Sequence, residues 1–92
     1  MQKTIFKYKF EINDNVYIEM PLDSEILSVQ VQNCIPCIYA LVYAGNALEI
    51  RHFEIFGTGH PIECNSRIER KFIGTFQLNG CSLVFHLFER IN

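Results

Sequence analysis

One stretch divides this sequence: Gly57-Thr58-Gly59-His60-Pro61-Ile62 ends the longest strand-like run and begins an irregular segment over residues 57–70. Five segments with the composition of short strands precede it, and two follow it. Gly57 and Gly59 permit positive φ angles and a close approach of the backbone. The sequence therefore predicts a glycine-containing loop, with His60 in it, between two groups of strands.

The first two predicted strands alternate in polarity. Residues 3–12 place aromatic and aliphatic side chains on one face and mostly charged side chains on the other, as in a half-buried strand. The Asn-Asp-Asn cluster at residues 13–15 favours a turn, so we expect a hairpin with a three-residue loop. Its predicted pairs are Ile12 with Val16, Phe10 with Ile18, Tyr8 with Met20, and Lys9 with Glu19.

The third and fourth strands differ in their patterns. Residues 25–32 alternate, which predicts a strand with Leu27, Val29 and Val31 facing inward. Residues 37–43 are almost continuously apolar, which is typical of a strand covered on both faces. We therefore expect the fourth strand to lie at the centre of a sheet.

A second hairpin is predicted between the fourth strand and residues 47–56. Ala44-Gly45-Asn46 supplies the turn residues. A three-residue loop would place Tyr39 opposite Arg51 and Ala40 opposite Ile50.

The last hairpin carries the strongest local signal, because Asn79-Gly80 favours a two-residue type I′ turn. The apolar pairs of that register are Leu78 with Cys81, Phe76 with Leu83, and Gly74 with Phe85. The opposite face pairs Gln77 with Ser82, Thr75 with Val84, and Ile73 with His86. Thr75, Gln77, Ser82 and His86 are therefore predicted to cluster on one face.

Seven short strands with tight turns and no long helical period indicate an all-β fold. We predict a single domain over residues 1–92, built as an antiparallel β-sandwich or barrel whose strands are joined largely as a meander of hairpins. The chain is 92 residues long, 49% hydrophobic and 13% aromatic, which is too apolar for a disordered protein. We therefore also expect a self-associating surface and a homo-oligomer.

Charge and hydropathy exclude several function classes. The net charge is −2, from 8 basic and 10 acidic residues without a block of like charge, so we expect no binding to a nucleic acid polymer. No signal-peptide pattern opens the chain, and no apolar run approaches the ~20 residues that cross a membrane. We expect a cytoplasmic protein without a membrane partner.

The cysteines leave alternatives open. Cys34 and Cys37 form a C-x-x-C pair, which fits a redox pair or half of a zinc site completed by Cys64 and His60. A redox pair normally opens a helix, whereas strand-like residues follow this one. We favour reduced thiols that pack as small hydrophobic side chains, and we predict no metal site and no cofactor.

Three groups of residues are candidates for ligand binding. The backbone around Gly57 and Gly59 could form an anion-binding nest, and His60 could donate to a phosphate, or simply bond its own loop. Arg51 could clamp a phosphate or stack on Tyr39. Arg67, Arg70 and Lys71 are interpreted as a solvated surface neutralised by neighbouring glutamates.

Enzymatic signals are weak. The sequence has no recognisable Ser-His-Asp or Cys-His motif, and its acidic residues mostly alternate outward on strands. We predict that the protein is not an enzyme, and we assign no catalytic residue.

Four motifs resemble a family of small uncharacterised proteins found in bacteriophage, plasmid and bacterial genomes. They are Lys3-Thr4-Ile5-Phe6-Lys7-Tyr8, Gly57-Thr58-Gly59-His60-Pro61-Ile62, Gly74-Thr75-Phe76-Gln77 and Val84-Phe85-His86-Leu87-Phe88-Glu89. The resemblance covers nearly the whole chain. Unlike many such proteins this chain has no Trp, with Tyr39 and Phe85 in the corresponding neighbourhoods.

The resemblance implies a mobile genetic element, where small proteins often block host defence by binding. The leading hypothesis is a phage protein that sequesters a nucleotide-derived immune signal in the host cytoplasm. Its predicted ligand-binding residues are Tyr39, Arg51, Gly57, Thr58, Gly59, His60, Thr75, Gln77 and His86. Two alternatives are an inhibitor or accessory domain that docks a host protein by β-augmentation, and a small nucleotide hydrolase.

Overall fold

A computed structural model describes residues 2–80 and 82–92 and contains seven strands, as the sequence predicts. The strands are β1 (Thr4–Lys9), β2 (Asn15–Pro21), β3 (Glu25–Gln32), β4 (Ile35–Val42), β5 (Leu48–Gly57), β6 (Arg70–Leu78) and β7 (Leu83–Arg90).

The strands form two antiparallel sheets that pack as a sandwich, which confirms the all-β prediction. The three-stranded sheet has the order β1-β4-β3, and the four-stranded sheet has the order β2-β5-β7-β6. Their inward faces share one core, composed of Phe10, Val16, Ile18, Met20, Val29, Ile38, Phe53, Ile55, Phe76 and Leu87. Edge strands β3 and β6 approach each other, so the sheets meet along that side.

The central position of β4 is confirmed. It lies between β1 and β3, and Ile38, Ala40 and Val42 are completely buried. Its continuous apolar sequence matches this position, because a strand paired on both sides exposes little of its length.

The first predicted hairpin is wrong. Residues 10–14 carry the chain from one sheet to the other, so β1 pairs with β4 and β2 pairs with β5. The predicted pairs, including Lys9 with Glu19, are therefore not formed within the chain. A strand with alternating polarity can bury its apolar face in the same core whichever sheet it belongs to. Here Phe10 is buried edge-to-face against Phe76.

The second predicted hairpin is also wrong, and the strands are not a meander. Arg51 pairs with Ile18 and Tyr39 pairs with Lys7, in different sheets. The predicted turn forms, with Asn46 N donating to Tyr43 O over 3.0 Å, but residues 43–47 carry the chain to the other sheet instead of closing a hairpin. Strands consecutive in sequence pair only at β3–β4 and β6–β7 among the residues described.

A bulge changes the inward face of β3. The register shifts between Ile26 and Ser28, which leaves Leu27 43% exposed and packs Ile26 against the core. Val29 and Val31 face the core as predicted. Because a bulge inserts one extra residue, the side chains before it point to the opposite face from the one that simple alternation predicts.

The last hairpin forms, but two residues out of the predicted register. Leu78 pairs with Leu83 and Thr75 pairs with His86, so residues 79–82 form the connection. Asn79 and Gly80 have φ angles of 53° and 63°, the left-handed values expected there. Cys81, and its predicted pairing with Leu78, lie outside the described residues. A shift by an even number keeps Thr75, Gln77 and His86 on their predicted face. Ile73, predicted opposite His86 on that face, instead packs against the core, because the register shifts again between Phe72 and Gly74.

Cys37 is buried as predicted, whereas Cys34 and Cys64 are exposed. Within residues 2–80 and 82–92, no three of the His, Cys, Asp and Glu side chains gather in a way that could hold a metal ion. In the same residues, no helix is long and apolar enough to cross a membrane.

Candidate functional site

A histidine between two threonine hydroxyls lies on the outer face of the four-stranded sheet. His86 on β7 is directly opposite Thr75 on β6 and Phe56 on β5. Thr75 Oγ1 lies 2.9 Å from His86 Nδ1, and Thr58 Oγ1 lies 2.7 Å from His86 Nε2. We call these three residues the hydroxyl–imidazole cluster. Both ring nitrogens are satisfied, which fixes the orientation of the ring.

The cluster can serve as a hydrogen-bond donor to an anion in either protonation state of the ring. A neutral imidazole accepts a hydrogen bond from one hydroxyl and donates one to the other, which leaves that second O–H free to donate outward. A protonated imidazole donates to both oxygens and frees both O–H groups. The second state adds a positive charge, so it would hold an anion more strongly.

The glycine loop lies directly beside this cluster. Gly57 ends β5, Gly59 has a φ angle of 87°, and the backbone N–H of His60 donates to Gly57 O over 3.1 Å. The His60 ring packs on Gly57, where an added methyl group would lie 2.9 Å from two ring atoms. The absence of a side chain at Gly57 therefore determines where the histidine ring rests.

A groove of about 340 Å³ opens between the loop and the start of β7. Its walls are Gly57, Thr58, His60, Ser82, Leu83, Val84 and Phe85. The last four residues were not among the predicted binding residues. The predicted hairpin already placed them opposite β6, but only the pairing of β5 with β7, which strand alternation does not specify, brings them beside the glycine loop.

Six of the nine predicted binding residues thus lie in this region: Gly57, Thr58, Gly59, His60, Thr75 and His86. Gln77 is exposed two residues beyond Thr75 on the same strand, opposite Val84. Together with Thr75, it borders a second, smaller depression beside Val29 and Val31 of β3.

Arg51 does not belong to this region. It faces the interior, where its Nε and Nη2 donate to the Glu89 carboxylate, the latter over 3.0 Å, and its Nη1 donates to Ser24 O over 2.8 Å. The hydrogen bond to Glu89 raises the pKa of Arg51 above its ordinary value. The guanidinium is already hydrogen-bonded to Glu89 and Ser24, so its placement does not support the predicted phosphate clamp.

Tyr39 is also separate from the region. It lies on the outer face of the three-stranded sheet, where its hydroxyl and Lys7 Nζ both reach Gln32 Oε1, at 3.3 and 2.8 Å. Arg51 is on the inner face of the other sheet, so the predicted stacking of these two residues does not occur.

Arg70 holds the segment after the glycine loop against the sheet. Its Nε donates to Glu54 Oε1 over 2.7 Å, its Nη1 donates to Glu63 O over 2.7 Å, and its guanidinium lies over the Phe56 ring. Arg90 also contacts the Glu54 carboxylate, at 3.4 Å. The prediction of a solvated, loosely neutralised Arg70 is wrong, because Glu54 is buried and needs this partner.

Gly57→Ala is expected to displace the His60 ring with little loss of stability. The added methyl group meets an exposed side chain that can rotate away, so the free energy of unfolding should change by less than about 0.5 kcal/mol. Histidine ring NMR shifts would report the displacement, with Gly45→Ala, which meets no atom within 4 Å, as the control. Unchanged His60 shifts in Gly57→Ala would contradict the packing described.

Comparison with known proteins gives a family but no activity. No curated protein and no solved structure has a significant match to this chain. A family model described as a domain of unknown function, DUF7352, matches residues 1–92. The match spans the whole chain, and the chain therefore belongs to the DUF7352 family.

Proposed function

We propose that this protein is a non-catalytic binding protein that sequesters a nucleotide-derived signal, and that it serves a phage by suppressing host defence in the host cytoplasm. The observation that carries the proposal is the hydroxyl–imidazole cluster at the edge of the 340 Å³ groove. The mobile-element context rests on the resemblance of the four sequence motifs. The proposal requires no cofactor.

Phosphate is the group that best suits the cluster. Thr58 and Thr75 offer O–H donors, and His86 can supply a positive charge through them. His60, which also lines the groove, offers a second imidazole. These histidines take the place of Arg51, which the fold uses elsewhere.

The groove suits one nucleoside unit beside that phosphate. Its volume is near the lower end of small-molecule pockets, which run from about 300 to 1,000 Å³. Leu83 and Phe85 supply an apolar wall for a base, the role first predicted for Tyr39. A ligand with several nucleotide units would extend beyond this groove and need a second surface.

The first test is mass spectrometry of small molecules released by denaturing the protein, after incubation with extracts of cells whose nucleotide-signalling defences are active. Recovery of an intact nucleotide supports sequestration. That nucleotide at ~100 times its dissociation constant should add about 2.7 kcal/mol of stability. Recovery of no nucleotide, with no thermal shift, would reject the proposal and favour a protein partner.

Thr75→Val is expected to weaken binding of the recovered nucleotide about ten-fold, because it removes one hydroxyl donor while preserving side-chain shape. Thr75→Ser keeps the hydroxyl and is the matched control. Calorimetric titration of the two variants measures the difference. Equal affinities in both variants would show that the nucleotide binds elsewhere.

A hydrolase is the second candidate, because the 2.7 Å separation of Thr58 Oγ1 and His86 Nε2 is that of a nucleophile and its base. The mass of the recovered nucleotide separates the two functions. An intact nucleotide after prolonged incubation supports sequestration, and a cleaved one supports hydrolysis.

A further inference from the structure

Four strands end the two sheets, and among the described residues the two on one side of the sandwich, β1 and β2, have no neighbouring strand there. β1 is an edge of the three-stranded sheet, and β2 is an edge of the four-stranded sheet. Residues 10–14 join them directly, so the two open edges begin at one corner of the sandwich. The opposite edges, β3 and β6, already lie against each other. The open side is therefore confined to β1 and β2.

The hydrogen bond between Phe10 and Pro36, just after β1, shows which β1 residues direct their backbone N–H and C=O groups toward β4 and which toward the open edge. Phe10 N donates to Pro36 O, so Phe10 directs its backbone toward β4. Backbone direction alternates along a strand, and Ile5, Lys7 and Lys9 therefore direct their N–H and C=O groups toward the open edge.

Hydrogen bonds at both ends of β2 show which of its residues direct their backbone groups toward β5. Leu22 N donates to Ala47 O, and Ile55 N donates to Asp14 O, so Leu22 and Asp14 face β5. By the same alternation, Tyr17 and Glu19 direct their backbone groups outward. Pro21 also directs its backbone to the open edge, but it has no N–H to donate and its carbonyl already accepts from Ser24 Oγ.

The two edges carry opposite charges and exposed apolar groups. Lys7 and Lys9 lie on β1, whereas Glu19 lies on β2. Ile5 is 57% exposed and Tyr17 is 63% exposed, although both sit within sheets. An exposed edge strand of this kind invites pairing with another chain.

We propose that two copies of this chain form a two-fold dimer in which β1 of each copy pairs antiparallel with β2 of the other. A two-fold axis parallel to the strands, along the open side, places the three-stranded sheet of each copy edge to edge with the four-stranded sheet of the other. Both junctions then form at once, and no edge at this side stays open. The inference is independent of the proposed ligand.

Charge and phase select one register. Lys7 pairs with the partner's Glu19, Lys9 pairs with the partner's Tyr17, and Ile5 reaches the partner's Pro21, where the ladder ends. Lys7, Lys9, Tyr17 and Glu19 have outward-facing backbone groups and exposed side chains on the outer faces, so the sheets continue without a reversal of faces. The Pro21 side chain is buried, so only its backbone borders the junction. Pairing β1 with another β1 would instead bring Lys7 against a lysine, which is unfavourable.

Charge reversal tests the dimer. Lys7→Glu and Glu19→Lys should each weaken self-association about ten-fold or more, because each creates two like-charge junctions. An equimolar mixture of the two variants should form a heterodimer with wild-type affinity, since both of its junctions pair opposite charges. Sedimentation velocity over a concentration series measures all three. Arg67→Glu and Glu63→Lys, on the exposed segment between β5 and β6, are the matched charge controls.

Wild-type amide exchange gives a second measurement that needs no variant. The amide protons of Lys7, Lys9 and Tyr17 should exchange at least ten-fold more slowly at concentrations where the dimer forms than where the monomer prevails. A chain that stays monomeric throughout would overturn the proposal. So would a dimer that both charge reversals leave intact, since it would use another surface.

Discussion

Arg51→Met is expected to destabilise the fold by about 3 kcal/mol, because it leaves the buried Glu89 carboxylate without its partner. Glu89 is 5% exposed, and its carboxylate accepts hydrogen bonds from both Nε and Nη2 of Arg51. The third guanidinium contact, to Ser24 O, ties the connection between β2 and β3 to the same pair. Urea unfolding followed by circular dichroism measures the loss.

The double variant Arg51→Met/Glu89→Leu separates pairing from packing. With both charges removed, no unpaired charge remains in the interior, and most of the lost stability should return. Arg67→Met is the matched control, since Arg67 is exposed and its replacement should cost less than about 0.5 kcal/mol. If Arg51→Met unfolds at the wild-type urea concentration but no longer binds the nucleotide, Arg51 belongs to the ligand site after all.

The sequence contained a signal for this pair that the prediction did not use. Arg51 shares an inward face with Phe53 on β5, and Glu89 shares one with Leu87 on β7. Opposite charges at inward positions of two strands predict a buried ion pair, provided that the strands are neighbours. The residues are 38 positions apart in sequence, and only the pairing of β5 with β7 brings them together.

Strand number and β4 centrality were predictable because they depend on local composition, whereas strand pairing was not. An alternating strand such as β1 buries the same face whether it pairs with β2 or with β4. The choice depends on whether residues 10–14 close a hairpin or cross to the other sheet. Burial of Phe10 against Phe76 favours the crossing, and Phe76 lies far away in sequence.

The candidate site was partly predictable, because an error of two residues in strand register does not change the sheet face on which a side chain lies. Thr75 and His86 were assigned to one face from an incorrect hairpin loop, and the two-residue shift preserved that assignment. The contact of Thr58 with His86 required the pairing of β5 with β7, which alternation does not specify. The assignment of Tyr39 to the site was wrong for the same reason, since it depended on a hairpin between β4 and β5 that does not form.

Gly74→Ala is expected to cost about 2 kcal/mol, because an added methyl group would lie 2.9 Å from Val29 Cγ1. Gly74 lies on β6 just after a register shift, facing Val29 on β3, where the two sheets meet. Val29 is buried and branched at Cβ, so it has little freedom to rotate away. The φ angle of Gly74 is not among the positive ones, and the cost therefore arises from crowding alone.

A double-mutant cycle with Val29→Ala tests that cause. Val29→Ala alone leaves a small cavity and should be destabilising, but Gly74→Ala added to it should fill part of that space and cost little. The resulting coupling energy should lie within the range of about 0.5–3 kcal/mol found for residues in contact. Gly45→Ala, with no atom within 4 Å, controls for the change in backbone entropy. Additive effects of the two substitutions would mean that β3 and β6 do not approach closely at Gly74, and the side of the sandwich opposite β1 and β2 would then be open as well.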